Sequence, residues 1–314
     1  MKMQPALRTG ISFNRQRGVA VIMALLLTAL AVTLVSSLFW QQQVQIRSIE
    51  NQRLQSQSQW IMLDAIDWAG LILREDARHS SVDSLDEPWA VPLVEMPLNS
   101  FAEYDGVSDA TLSGSISDAQ ARLNLSNLCD NGTINPVEVS AFQRLLAILQ
   151  LNPALAQATA GAMLSTQASM AVPGGAPQFI SFTQVDDLLD VPGFTPKILG
   201  VLKDFVIFLP QATPVNVNTA PAEVLAARVD GLTLDSAYAL VANRSTASFI
   251  NLADFTLRLQ AYMPPSSSSI NEVAVSTNYF LIDGVVRMKR AELQVQALIK
   301  RDGMSTRPLW NRTY

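Results

Sequence analysis

The sequence predicts an α+β fold: one very long N-terminal helix, an antiparallel sheet, and an all-α domain inserted into the sheet region. Three observations predict it. No Gly or Pro interrupts Val19 to Ala69, alternating apolar patterns lie at Ser115 to Leu125 and again at Tyr279 to Lys300, and the chain between those patterns is helical in character. Strands at both ends of a helical middle imply one sheet interrupted by an insertion.

Composition already divides the chain. Of 314 residues, 49% are hydrophobic and 16% charged, with a mean hydropathy of +0.20, against about 25% charged for an ordinary soluble domain. A net charge of -5 disfavours a binder of nucleic acid or anionic membrane that works by its overall charge. A single cysteine, Cys129, excludes an intrachain disulfide, and a single histidine, His79, excludes any site needing two imidazoles. Zinc hydrolases and His-Cys clusters fall away on that count.

Val19 to Trp40 is a run of twenty-two residues without charge, Gly or Pro, whose polar groups are Thr28, Thr33, Ser36 and Ser37. As a helix at ~1.5 Å per residue it is about 33 Å long, enough to cross a hydrocarbon core of ~30 Å. A cleaved secretory signal is a poor match, because its apolar region is typically ~7–15 residues and a small-residue cleavage site follows, where this run ends in Leu38-Phe39-Trp40. The preceding segment carries Lys2, Arg8, Arg15 and Arg17 and no acid. Positive charge on that side keeps the N-terminus cytoplasmic and sends the rest across the membrane. Past Trp40 the apolar residues thin to helical spacing through Val44, Ile46, Ile49, Leu54, Ile61, Leu63 and Ile66, so the helix exceeds fifty residues and turns amphipathic.

Arg17-Gly18 directly before this apolar run resembles the class III leader of type IV pilins and type II secretion pseudopilins. The resemblance implies that a prepilin peptidase cuts between Gly18 and Val19, leaving a mature chain of 296 residues with a methylated N-terminus. The eighteen leader residues hold +4 and the remainder -9. Most members carry Glu at the fifth mature position; here it is Met23. A carboxylate inside a bilayer is costly without a partner, and in the family that partner is the N-terminal amine of a neighbouring subunit. Its loss resembles the K-type minor pseudopilin, whose place at the fibre tip leaves no subunit above it.

Beyond the helix, Ser80 to Asp118 holds Pro88, Pro92, Pro97, Gly106 and Gly114 and reads as loops with one or two short strands. Ser115 to Leu125 reads as a half-buried strand. Tyr279 to Met288 and Ala291 to Lys300 read as a hairpin with Leu293, Val295, Ala297 and Ile299 on one face. Between them, Asn135-Pro136 caps an apolar-periodic helix over Val137 to Gln150, and Ala154 to Ser169 forms a second. Pro173 to Pro177 is a loop, and Pro264 to Ser269 a linker that closes the insert.

Asp186 to Phe205 and Ala222 to Arg244 form a weak repeat, each reading helix, Gly turn, helix, and resembling helix-hairpin-helix units. Many such units bind DNA through a Gly-x-Gly turn, but here Thr195 and Thr233 replace the second glycine, and six basic residues face ten acidic ones over 127–269. A membrane-anchored DNA receptor remains as the alternative function. An anchored enzyme using Asp186, Asp187 and Asp190 is another, against the simpler reading of these carboxylates, like Asp64 and Asp67, as solvated helix ends or caps. His79 falls at the end of the long helix, a surface or capping position. No nucleophile elbow, Walker loop or dinucleotide fingerprint is present.

Asn124 to Leu128 (NLSNL), Asp186 to Thr195 (DDLLDVPGFT), Val215 to Ala227 (VNVNTAPAEVLAA) and Leu298 to Gly303 (LIKRDG) occur in the order found in the K-type pseudopilins of type II secretion. This resemblance covers essentially the whole chain. It implies a pilin-like fold with leader 1–18, transmembrane helix 19–40, pilin-like part 41–126, α-helical insert 127–269 and C-terminal strands 270–314. It further implies a non-enzymatic inner-membrane subunit, bulk in the periplasm, that initiates or caps the fibre. Its expected partners are the I-, J- and H-type minor pseudopilins, the major pseudopilin, prepilin peptidase and the inner-membrane secretion platform, with no nucleic acid. No cofactor is required; Ca²⁺ is implied by the resemblance alone, with no EF-hand spacing to name ligands.

Overall fold

The computed structural model describes residues 17–98, 110–130, 132–170, 182–263, 272–288 and 291–314. Leader residues 1–16, the Pro173–Pro177 loop and the Pro264–Ser269 linker lie outside them. Contacts divide the chain between Gln57 and Ser58 into two compact units, and a single helix, α1 (Arg17–His79), runs through that division. In the first unit the side chains of Val19 to Trp40 are exposed, and Thr28 and Thr33 return their hydroxyls to the carbonyls of Leu25 and Leu30. Such back-bonding removes the polar penalty that a hydroxyl otherwise brings to an apolar helix.

The second unit is built on a sheet. After a 3-10 turn at Pro88–Ala90 come β1 (Leu93–Pro97) and β2 (Ala110–Asp118). A 3-10 turn at Ala119–Ala121 leads to β3 (Leu123–Asn124), followed by the short hairpin of β4 (Cys129–Asp130) and β5 (Thr133–Ile134). Helices α2 (Pro136–Ile148), α3 (Ala154–Met170) and α4 (Pro196–Leu202) follow. Next are β6 (Val206–Ile207), β7 (Val215–Asn216), α5 (Ala222–Arg228), α6 (Leu234–Arg244) and α7 (Leu252–Leu259). The chain ends with β8 (Val273–Ala274), β9 (Tyr279–Met288), β10 (Ala291–Asp302) and β11 (Ser305–Thr313).

Strands β1, β2, β9, β10 and β11 form one antiparallel sheet in that order, so sequence-distant β2 and β9 are neighbours at its centre. The predicted hairpin of β9 and β10 is present in register, with Ala291 opposite Met288 and Lys300 opposite Tyr279. Two expectations need correction. The strand placed at Ser115 to Leu125 starts earlier, at Ala110, and stops at Asp118, because the Asp118 carboxylate accepts the Gln120 N–H at 2.7 Å and turns the chain out of the sheet. An additional strand, β11, follows the turn at Gly303; its Pro308 and broken alternation hid it.

Alternation assigns the two faces. Phe280, Ile282 and Val286 of β9, with Val295, Ala297 and Ile299 of β10, pack beneath the α1 stripe Met62, Ile66, Ala69 and Leu73. Trp89 closes this core edge-on to Phe280, ring centroids 5.2 Å apart. On the opposite face Tyr279, Leu281 and Leu298 meet Ala119, Ile207 and Leu209 of the helical region. That region has a separate core around Phe142, Leu145, Leu146, Leu188, Leu225 and Phe255. The parallel pairs β3–β6 and β7–β8 stitch it together from distant segments.

The two-hairpin repeat is also real in form. Gly193 (φ +103°) and Gly231 (φ +80°) take the left-handed turn that other residues resist, although the first arm of the first unit, Val185–Asp190, is a 3-10 helix.

Close approach under α1 demands glycine at two paired positions, Gly114 on β2 and Gly284 on β9. A Cβ at Gly114 would come within 2.7 Å of the Asp283 backbone oxygen, whereas one at Gly284 would meet the flexible Met62 thioether at 2.8 Å. Gly114→Ala is therefore expected to lower stability by about 1–3 kcal/mol and Gly284→Ala by less. Urea titration of both variants checks the order, and equal losses would contradict this account of the packing.

Candidate functional site

Among the described residues two places stand out: the exposed apolar side chains of α1 and a buried polar seam where α1, the sheet and the helical region meet. Gly18 and Val19 stand at the start of α1 with nothing packed on Gly18, and Met23 is exposed within an uncharged stretch. Farther along, α1 leaves Trp60, Leu63, Trp68 and Leu71 exposed, Trp60 by 69%, with Trp68 bordering a hollow between the helix and the sheet. Asp64 and Asp67 are exposed on this same helix. Four large apolar side chains left exposed on one helix mark a packing surface rather than a catalytic one.

The seam centres on Arg301, which is 8% exposed. It follows Leu293, Val295, Ala297 and Ile299 on the core-facing side of β10, so alternation alone aims it inward. Its Nη1 donates to Asp76 Oδ2 at 2.9 Å, its Nη2 donates to Asp83 Oδ1 and to the Thr277 carbonyl, and its guanidinium lies 4.7 Å over the Phe280 ring. Asp83 also accepts the Thr277 N–H at 2.7 Å. Asp118, on the matching face of β2, is 3% exposed and accepts from Asn216 Nδ2 at 2.8 Å and Thr219 Oγ1 at 2.6 Å. The same Asn216 amide donates to the Asp83 carbonyl at 3.0 Å, joining the two acids. Burial pushes Asp76 and Asp118 each up to about 6, and raises Asp83 as well.

Asparagine motifs extend the seam into the helical region. Asn124 accepts the Leu209 N–H at 3.0 Å and donates to the Gln211 carbonyl at 2.8 Å. Asn127 and Thr213 exchange two bonds of 3.1 and 2.9 Å, and Asn218 pairs in the same way with the Phe249 backbone at 2.8 and 3.0 Å. A planar amide offers one donor and one acceptor side by side, so it replaces a missing strand neighbour. The NLSNL and VNVNT motifs are thus clamps on loops.

Asp76, Asp83 and Glu87 bring carboxylate oxygens within 4.8 Å of one another, the arrangement that a metal requires. Protein donors already fill it. Arg301 holds Asp76 and Asp83, while Glu87 accepts from the Ser84 N–H and Trp89 Nε1 at 2.9 and 2.8 Å. Calcium takes about 6–8 oxygens and tolerates no guanidinium among them; these residues do not fit it.

The Asp186 group does not converge on a site either. Asp187 caps its own turn, accepting the N–H groups of Thr183 and Gln184 at 2.7 and 3.0 Å, and Asp186 and Asp190 point to solvent. Thr195 and Thr233, at the hairpin turns, accept the N–H groups of Ile198 and Ser236, which a DNA phosphate would otherwise take. His79 ends α1 with Nδ1 at 2.9 Å from the Glu75 carbonyl.

Two family profiles, both described as type II secretion system protein K, match residues 121–211 and 215–277. The chain is 29% identical to the type II secretion system protein K of Pseudomonas aeruginosa, over 92% of this chain and 90% of that one. It is 26% identical to the protein K of Klebsiella pneumoniae, over 92% and 94% of the respective chains. The chain belongs to the type II secretion system protein K family. A solved structure adds the fold: a chain of the GspK-GspI-GspJ complex from enterotoxigenic Escherichia coli superposes with a TM-score of 0.67 at 20% identity, covering 84% of this chain and 98% of that one. The long helix, antiparallel sheet and helical insertion are the family architecture, and membership makes the chain a pseudopilin-type component of protein secretion.

The family motifs are legible in the sequence, but what their side chains hold is not. Asp76, Asp83, Asp118 and Arg301 were missed as a group, although two charged residues in the core-facing register of strands were the available signal.

Removing the Arg301 charge leaves two buried carboxylates unpaired, so Arg301→Met is expected to cost about 3–5 kcal/mol, read as a shift in the urea midpoint. The pH dependence follows from the raised acids. Asp76 and Asp118 bind protons near pH 6 when folded but near 3.8 when unfolded, so their contribution to stability is full below about 3.8 and drains as pH rises through 6. Acidification from pH 7.5 to 5 should raise the urea midpoint, and Asp118→Asn should flatten that rise. A midpoint that falls over this range would overturn the assignment.

Proposed function

We propose that this protein is a minor pseudopilin at the tip of the type II secretion pseudopilus, where it initiates or caps the fibre. One observation carries the reading: the apolar helix of a protein K family member has Met23 where pilin-class helices hold a glutamate. Without that carboxylate it has nothing with which to pair the N-terminal amine of a subunit above it, and an end position needs no such group. The twenty-two uncharged residues from Val19 anchor it in the inner membrane, with the basic flank cytoplasmic and the bulk periplasmic. Prepilin peptidase removes the leader after Gly18, and the new N-terminus at Val19 is methylated.

Partner recognition is lateral helix packing. Inside the membrane it relies on close contact of Val19 to Trp40, and outside it on burial of Trp60, Leu63, Trp68 and Leu71. The Escherichia coli structure contains GspK with GspI and GspJ; by analogy the I- and J-type subunits are the first partners here, with the H-type and major pseudopilins below and the secretion platform at the membrane. The filled carboxylate cluster and the self-capped hairpins support a structural subunit over an enzyme or a DNA receptor.

Substitution of Gly18 by Leu is expected to leave the leader attached, giving an N-terminal sequence that begins at Met1. Recovery of a chain starting at Val19 from that variant would remove the peptidase step. Detergent-solubilised full-length protein should co-purify with the I- and J-type subunits, and Trp60→Glu combined with Leu71→Glu should abolish this. Complexes that survive both charges would place the interface elsewhere.

A further inference from the structure

Two lines of residues run along the part of α1 that lies over the sheet. Met62, Ile66, Ala69 and Leu73 are buried in the core, whereas Trp60, Asp64, Asp67 and Leu71 are exposed. Both lines have the 4-3-4 spacing that keeps side chains on one stripe of a helix, and a shift of two positions at about 100° per residue puts them on opposite sides of it. Leu63 and Trp68 flank the exposed line on either side.

Trp68 also borders a hollow of about 260 Å³ between α1 and the sheet, lined mainly by apolar side chains. Ala65 and Ile72 line it from α1, Val91 and Leu93 from β1 and the segment before it, and Gly114 from β2. A glycine there brings no side chain to fill the space. A stripe of this spacing, with a small residue and a hollow at its flank, suits a second helix crossing at a shallow angle.

The acids at the centre of the stripe restrict which helix that is. Over the twenty residues from Leu54 to Leu73 the only ionisable side chains are Asp64 and Asp67. Among the described residues neither has a hydrogen-bond or ion-pair partner, whereas Glu75 is held by Arg78 and Asp76 by Arg301. Water serves both carboxylates while the face is open. Covering Trp60 and Leu71 on either side of them strips that water away, and a carboxylate so desolvated is costly unless a cation meets it. A wholly apolar helix leaves both acids unmet, an acidic one repels them, and an anionic lipid surface does the same.

We propose that Asp64 and Asp67 select the partner of this face: an α-helix of a neighbouring subunit that carries a lysine or arginine among apolar residues at 3-4 spacing. The cation lies over the two aspartates, and a large apolar side chain of the same helix enters the hollow beside Trp68. Trp60, Trp68 and Leu71 supply the contact area, and the acids supply the discrimination. Such selection rests on the reading of α1 as the assembly face.

The test is co-purification of the full-length protein, in non-ionic detergent, with the I- and J-type subunits of its own secretion system. Wild-type capture is expected to weaken as NaCl rises from about 0.1 to 1 M, where the screening length falls from about 10 to 3 Å. Asp64→Lys combined with Asp67→Lys is expected to lower capture about tenfold at low salt. Asp64→Asn combined with Asp67→Asn should lower it less and remove most of its salt dependence. All four changes are at exposed positions, and an unaltered thermal melt separates lost recognition from lost folding. Partner variants selected to recover the double-lysine protein should exchange a lysine or arginine of their own helix for an acid. Undiminished capture by the double-lysine protein, unaltered salt dependence in the double-asparagine protein, or no recovery through such a charge exchange would overturn the proposal. Wild-type protein that captures neither subunit, or capture that survives Trp60→Glu with Leu71→Glu, instead removes the assembly face itself and the selection with it.

Discussion

The folded region depends on the buried guanidinium of Arg301. It ties Asp76 at the end of α1, Asp83 in the following loop, and the Thr277 carbonyl beside the helical region to the end of the central hairpin. Four chain segments separated by up to 225 residues are thereby fixed around one charge. A buried ion pair adds little net stability over a well-packed apolar cluster, because desolvation offsets most of the attraction. Its value here is directional: an apolar contact tolerates sliding, whereas two carboxylates on one planar fork set the azimuth of α1 over the sheet.

The same logic explains the abundance of buried asparagine. Segments 123–128, 206–218 and 272–278 carry strands of only two residues, too short to satisfy their own backbone. Asn124, Asn127, Asn216 and Asn218 supply the missing donors and acceptors. Buried polar groups of this kind tolerate little change, since losing one partner strands the other in a medium of low dielectric. Sequence motifs that look functional are here the hydrogen-bonding frame that holds a helical insertion onto a sheet.

This frame gives the two sides of the sheet different coverings. One side of the sheet is taken by α1, which leaves Trp60, Leu63, Trp68 and Leu71 exposed. The other side meets the helical region through Tyr279, Leu281 and Leu298, with an open cleft of about 610 Å³ beside that contact.

Residue pattern by itself determined the elements whose signal is local. The length and apolarity of α1 follow from an unbroken run without helix breakers, the β9–β10 hairpin from strict alternation, and the α2 start from Asn135-Pro136, whose amide oxygen accepts the Val137 N–H at 3.1 Å. Local pattern also named the hairpin turns at Gly193 and Gly231, since only a positive φ calls for glycine there. It misplaced β2 and missed β11, because Asp118 turns the chain out of the sheet onto the Gln120 N–H while the distant Asn216 and Thr219 hold its other oxygen, and β11 is bulged opposite Leu298 and Ile299. Tertiary structure alone decided which polar residues work together. Asp83 and Arg301 are 218 positions apart, and no spacing rule relates them. The need for a partner is a property of burial, and burial exists only once the sheet, the helix and the insertion have closed on one another.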